Sequence, residues 1–230
     1  MRLFPGVGRA GKCGEVCLKP LRDNGLSITL IALFLLFWGG QAVTGYFHHN
    51  EEARSHGRAP VSFGKYLTSS DFFEATFENW ESEFLQMAAY VMLTVCLFQR
   101  GSAESKDPDK AEEPDPVTEQ SPAPVRRGGW QRRLYNHSLS LALVTLFFLS
   151  WIGHAFSGHS AYNEDQLQHG LPTISLAQFM LGSQFWFQSF QNWQSEFLAV
   201  FSIVVLSIWL RQKGSPESKP TGAAHVKTGK

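Results

Sequence analysis

The chain has 230 residues, 20 basic against 20 acidic side chains, and a mean hydropathy of −0.14. A net charge of zero excludes the basic footprint of a nucleic-acid-binding protein, and three cysteines are too few for a disulfide-built scaffold. The average hides a segregation, because apolar residues gather in four blocks, 26–47, 84–98, 139–156 and 197–210, with the charges between them.

Residues 1–20 read as a disordered, basic cytoplasmic leader in which Cys13 and Cys17, four apart, are incidental rather than a metal pair. The first span is expected over about 22–47: 22 uncharged residues from 26 onward reach across a hydrocarbon core of roughly 30 Å at about 1.5 Å per residue. Its length and its mid-chain duplicate argue against a cleaved signal peptide. An outer segment, 48–79, ends in Phe73, Phe77, Trp80 and Phe84, which share one helical face while Glu74, Glu78 and Glu81 share another, predicting an amphipathic helix in the interface. The second span is expected over about 80–99, with Asn79 as N-cap and Trp80 at the membrane surface. Residues 107–130, rich in Pro, Glu, Asp and Lys, read as a disordered cytoplasmic linker, as do Ser102 onward and the stretch from Gly214 through the 220–230 tail. Spans three and four are expected over about 135–157 and 193–212, with Trp186, Phe190, Trp193 and Phe197 repeating the aromatic face.

Residues 26–106 and 139–219 are one segment written twice at a constant shift of 113, with roughly 33 of about 81 positions identical. The expected domains are therefore two tandem repeats, 21–106 and 131–219. Both copies hold two spans and so point the same way, which implies a pseudo-two-fold axis along the membrane normal. Of the basic residues, 17 lie in the N-terminal segment, the central linker and the C-terminus and only three, Arg54, Arg58 and Lys65, lie elsewhere. The positive-inside rule then puts both termini in the cytoplasm. The fold expected is all-α and integral to the membrane: four transmembrane helices, each repeat carrying an outer interfacial helix.

Glu83 and Glu196 keep their charge in both copies, four residues after Asn79 and Asn192, whereas Glu78 and Glu81 become Gln191 and Gln194. About one turn inside a span, a carboxylate is costly, which makes Glu83, Glu196, Asn79 and Asn192 the candidate ion or proton site. The competing reading has each Asn capping its helix and each Glu sitting at the positive end of the helix dipole. Glu51, His56, Glu164 and His169 form a candidate outer-loop cluster, and Phe77, Trp80, Phe190 and Trp193 are interfacial anchors. His48, His49, His154 and His159 are further nitrogen donors, but no strong metal-ligand spacing occurs, and neither a metal nor another cofactor nor a catalytic residue is assigned. Gly40/Thr44 and Gly153/Ser157 are small-residue pairs suited to packing spans one and three together.

The doubled Asn-Trp-x-Ser-Glu-Phe-Leu motif, the Asn-Gly-Leu-Ser opening at 24–27 and the Gly-Ser-x-Glu-Ser-Lys endings resemble a family of small bacterial membrane proteins known only as a domain of unknown function. The resemblance covers about residues 21–221 and implies four spans in a bacterial inner membrane, with no activity to carry over. The expected function is a non-enzymatic structural, scaffolding or envelope-stress role. A small ion- or proton-coupled protein using Glu83 and Glu196 is the alternative, and a metal- or quinone-linked membrane enzyme the third. The expected partners are the lipid bilayer and a second copy or another membrane protein.

Overall fold

The computed structural model describes residues 23–111 and 114–229, so the leader and its Cys13 and Cys17 lie outside the described residues. Eight helices are present among them: α1 (Gly25–Ser55), α2 (Phe63–Tyr66), α3 (Ser70–Cys96), α4 (Ala123–Arg127), α5 (Gly129–Asn136), α6 (Ser138–Gln168), α7 (Leu176–Leu181) and α8 (Ser183–Leu206). They fall into two compact units that divide after Thr68. Two helices, α1 and α6, are long and apolar enough to cross a membrane.

The first unit is α1 and α2 joined by a tight return. α1 runs 31 residues, about 46 Å at the α-helical rise, and so continues well past the expected end near residue 47. Its last turns stay helical because Asn50 reaches across to the return strand: its amide Nδ2 donates to the Val61 carbonyl at 3.1 Å, and its Oδ1 accepts from the Val61 N–H at 2.7 Å. The chain reverses at Gly57, whose φ of 70° favours glycine. Tyr66 then lies directly over Gly45.

Every one of these devices recurs in the second unit at the 113-residue shift. α6 also runs 31 residues; Asn163 exchanges two hydrogen bonds with the Ile174 backbone at 3.0 and 2.9 Å; Gly170 has φ 68°; and Phe179 covers Gly158. Ser62 and Ser175 cap α2 and α7, the latter in a full capping box with Gln178.

In the second unit α3 packs along both α6 and α8, and Ala155, Phe179 and Phe185 make the fully buried apolar core. Here α3 and α8 depart from expectation. Each fuses the interfacial stretch and the predicted span into one continuous helix, 27 residues in α3 and 24 in α8. Ser69, not Asn79, is the N-cap of α3, its hydroxyl accepting from the Phe72 N–H, and Asp71 sits in the first turn where the helix dipole favours an acid. Asn79 and Asn192 are mid-helix. A Cβ on Gly153 would come within 2.7 to 2.9 Å of the Phe77 ring, so the small-residue face of α6 closely approaches α3, and within its own unit nothing lies within 4 Å of one on Gly40.

The stretches after Ser102 and Gly214 fold back on the segments that precede them. In both, a serine hydroxyl tucks back onto the end of the preceding segment, Ser105 accepting from the Gln99 N–H and Ser218 from the Gln212 N–H. The buried Ser102 and Ser207 hydroxyls pair at 3.0 Å, and Gly229 N–H donates to the Ser102 carbonyl. Lys219 is 1% exposed and donates to the carbonyls of Gly101, His225 and Lys227. Buried polar groups persist only when paired in this way.

Gly153→Ala should cost about 1–3 kcal/mol of stability, because the Phe77 ring must yield. Gly40→Ala should stay within about 0.5 kcal/mol of wild type. Thermal unfolding of the two variants in detergent checks the pair, and equal effects would contradict the close approach.

Candidate functional site

α3 carries Asp71, Glu74, Glu78 and Glu81 at spacings of three, four and three, which puts all four on one face of the helix. Burial deepens along that face, with Asp71, Glu74 and Glu78 half-buried and Glu81 at 0% exposure. Opposite them α8 presents Gln188, Ser189, Asn192 and Trp193, and α6 presents His154, also at 0% exposure.

The deepest carboxylate has the most partners. Glu81 Oε1 accepts from the Ser189 hydroxyl at 2.8 Å and the Trp193 indole N–H at 3.2 Å, while its Oε2 faces His154 Nδ1 at 2.9 Å. With Nδ1 protonated, the imidazole donates to that oxygen. The imidazole lies against the Phe185 ring, centroids 4.9 Å apart, which closes its apolar side.

Two further carboxylates bind α8. Gln188 Nε2 donates to Glu74 Oε1 at 2.9 Å, and Asn192 Nδ2 donates to Glu78 Oε1 at 2.6 Å. The Glu74 contact fixes the Gln188 amide, leaving its Oε1 to face His154 Nε2 at a long 3.4 Å. Burial is the main cause holding the carboxyls of Glu74 and Glu78 above their usual range, only partly offset by these amide donors and by His154. The result is a chain of titratable and amide groups, Glu74–Gln188–His154–Glu81, crossing three helices inside the bundle. Such an arrangement can hold a proton and relocate it.

Of the residues singled out from the sequence, Asn192, Trp193 and His154 join this site, and Glu83, Glu196, Asn79 and the outer-loop set do not. Glu83 is exposed and Glu196 half-buried; the two lie within electrostatic range of each other, and neither makes a hydrogen bond or ion pair with another described residue. Asn79 donates to its own helix at the Ala75 carbonyl, while Asn192 serves Glu78. In the outer-loop set, Glu51 and Glu164 are exposed, and His56 and His169 bond to the carbonyls of Glu52 and Asp165 four residues back. Phe77 and Trp80 pack edge to face, as do Phe190 and Trp193, and Trp193 also donates to Glu81. His159 ties to the Ile174 carbonyl. Among the described residues no three His, Cys, Asp or Glu side chains converge as a metal site would require.

The sequence held one unused signal for this site. At the 113-residue shift Glu81, in the first copy, corresponds to Gln194, and His154, in the second, corresponds to Gln41, so each copy supplies one member of the pair where the other has an amide.

The chain belongs to the family described as a domain of unknown function, DUF6766, whose model matches residues 18–230. No curated protein and no solved structure matches it.

Removing one partner of a buried pair strands the other charge, so His154→Leu should cost about 3–5 kcal/mol. The double variant Glu81→Gln/His154→Gln, which places at each position the amide found at its duplicate, should cost less than His154→Leu alone. Detergent unfolding of both variants tests this, and a larger cost for the double variant would contradict the pairing.

Proposed function

We propose that this DUF6766 protein is a proton-coupled, multi-pass membrane protein whose working site is the Glu81–His154 pair. The carrying observation is the complete burial of a carboxylate and an imidazole against each other in a helix bundle. Ionisable groups inside such a bundle are expensive, and proton relays are a common reason to keep them. Glu81 supplies a carboxylate held by Ser189 and Trp193, and His154 is the group that gains and loses a proton beside it. The half-buried Glu74 and Glu78 extend the acidic face from the start of α3 toward that pair.

The membrane setting rests on the apolar blocks and the charge asymmetry. α1 and α6 supply two spans, and the apolar halves of α3 and α8 supply two more in tandem repeats of the same orientation. The basic segments face the cytoplasm of a bacterial cell, and the starts of α3 and α8 face outward. With Cys13, Cys17 and Cys96 replaced by Ser, a cysteine introduced as Ser55→Cys should react with a membrane-impermeant maleimide on intact cells. One introduced as Glu119→Cys should react only after permeabilisation. The reverse pattern would overturn this topology.

A scaffolding role is the second reading, favoured by the fact that both carboxylate oxygens of Glu81 are paired, as in a structural staple. Infrared difference spectra of the protein in lipid nanodiscs, taken on acidification from about pH 8 to about pH 5, separate the two. The proton-coupled reading expects imidazole and carboxyl bands that vanish in both Glu81→Gln and His154→Gln. A wild-type spectrum unchanged by either substitution leaves the staple.

A further inference from the structure

We infer that Gln188 is a proton-positioning residue, an amide that links Glu74 to His154 so that one proton is held at either end. This rests on the proton-coupled reading above and specifies how its site is loaded. Gln188 stands between the two groups: its Nε2 donates to Glu74 Oε1 and its Oε1 faces His154 Nε2. An amide has a donor end and an acceptor end, so its orientation reports which neighbour holds a proton.

In the arrangement described, Glu74 is an ionised acceptor. His154 Nδ1 faces the Glu81 carboxylate and its Nε2 faces an amide oxygen, so both ring nitrogens are presented with acceptors and the ring is satisfied as the imidazolium. The alternative arrangement is equally complete. The proton on His154 Nε2 moves to a Glu74 oxygen, Gln188 turns its amide by half a turn, its Nε2 donates to the freed His154 Nε2, and its Oε1 accepts from the Glu74 hydroxyl. One N–H bond is lost and one O–H bond is gained. The cluster carries the same net charge in both arrangements, so the exchange needs no counter-ion in a low-dielectric interior.

The charges facing His154 favour its protonated form, so the imidazolium is the resting end of the exchange. Glu74, Glu78 and Glu81 all come from α3, while α8 presents the neutral Gln188, Ser189, Asn192 and Trp193, and α7 has no charged residue. Burial already holds the Glu74 carboxyl above its usual range. Glu74 is half-buried where His154 is fully enclosed, so Glu74 is the end at which protons enter and leave.

The test is a thermodynamic cycle on the full chain in nanodiscs, reading the His154 titration midpoint by nitrogen NMR of histidine-labelled protein, with His154→Gln to assign the signal. Glu74→Gln should shift the midpoint by about tenfold in proton affinity when Gln188 is present, and several-fold less in the Gln188→Met background. An equal shift in both backgrounds would overturn the link while leaving the proton site intact. A His154 signal that does not titrate from about pH 4 to about pH 10 would overturn the proton-coupled reading and this inference with it. If Gln188→Met fails to fold, Gln188→Asn, one methylene shorter, serves as the uncoupled background.

Discussion

A charge buried in a helix bundle must be paired, and in this protein that requirement fixes how three helices meet. Glu81 projects from α3 and takes partners from α6 and from two residues of α8, so a rotation of any one helix about its axis would strand a fully buried carboxylate. Apolar packing between the same helices tolerates sliding far better, because dispersion contacts are exchangeable and hydrogen bonds of a stated geometry are not. The register of α8 along α3 is set again one turn further on by Asn192 and Glu78, and once more by Gln188 and Glu74. The close seat of Gly153 on Phe77 brings α6 near enough for the imidazole to reach.

Much of the architecture is legible in the residues. The duplication predicts that both halves share a local design, and the helix lengths, the Asn50 and Asn163 bridges, the Gly57 and Gly170 returns and the serine caps all agree at the same shift. Helix boundaries are less so. Asn79-Trp80 has the composition of a helix start, but the same amide is equally content bonding back to Ala75 inside a helix, and Ser69 is a cap of the same strength ten residues earlier. The Gly-Ser-x-Glu-Ser-Lys segments also meet distant partners, Gly101 bonding to Thr228 and to Lys219, which local polarity does not reveal.

The site was hidden for a related reason. Residues kept in both copies, such as Glu83 and Glu196, draw attention, yet the buried pair lies where the copies differ. Glu81 stands in the first copy where the second has Gln194, and His154 in the second where the first has Gln41, so each copy contributes one ionisable partner in place of an amide. Gln188, facing Ala75 in the repeat alignment, extends the same divergence and has no counterpart that would single it out.

The join around Ser102 has a consequence for the order in which the chain becomes native. The Gly101 N–H waits for the Thr228 hydroxyl, 127 residues away, and the Gly101 carbonyl waits for the Lys219 ammonium across 118. Loops of that size close slowly, and contacts of long sequence separation form late. The first repeat therefore leaves the ribosome with its terminal turn incomplete, and acquires its finished form only when the second has been made and folded back. The seam works as a closure, sealed after both copies are in place, so that a half-made molecule is distinguishable from a whole one.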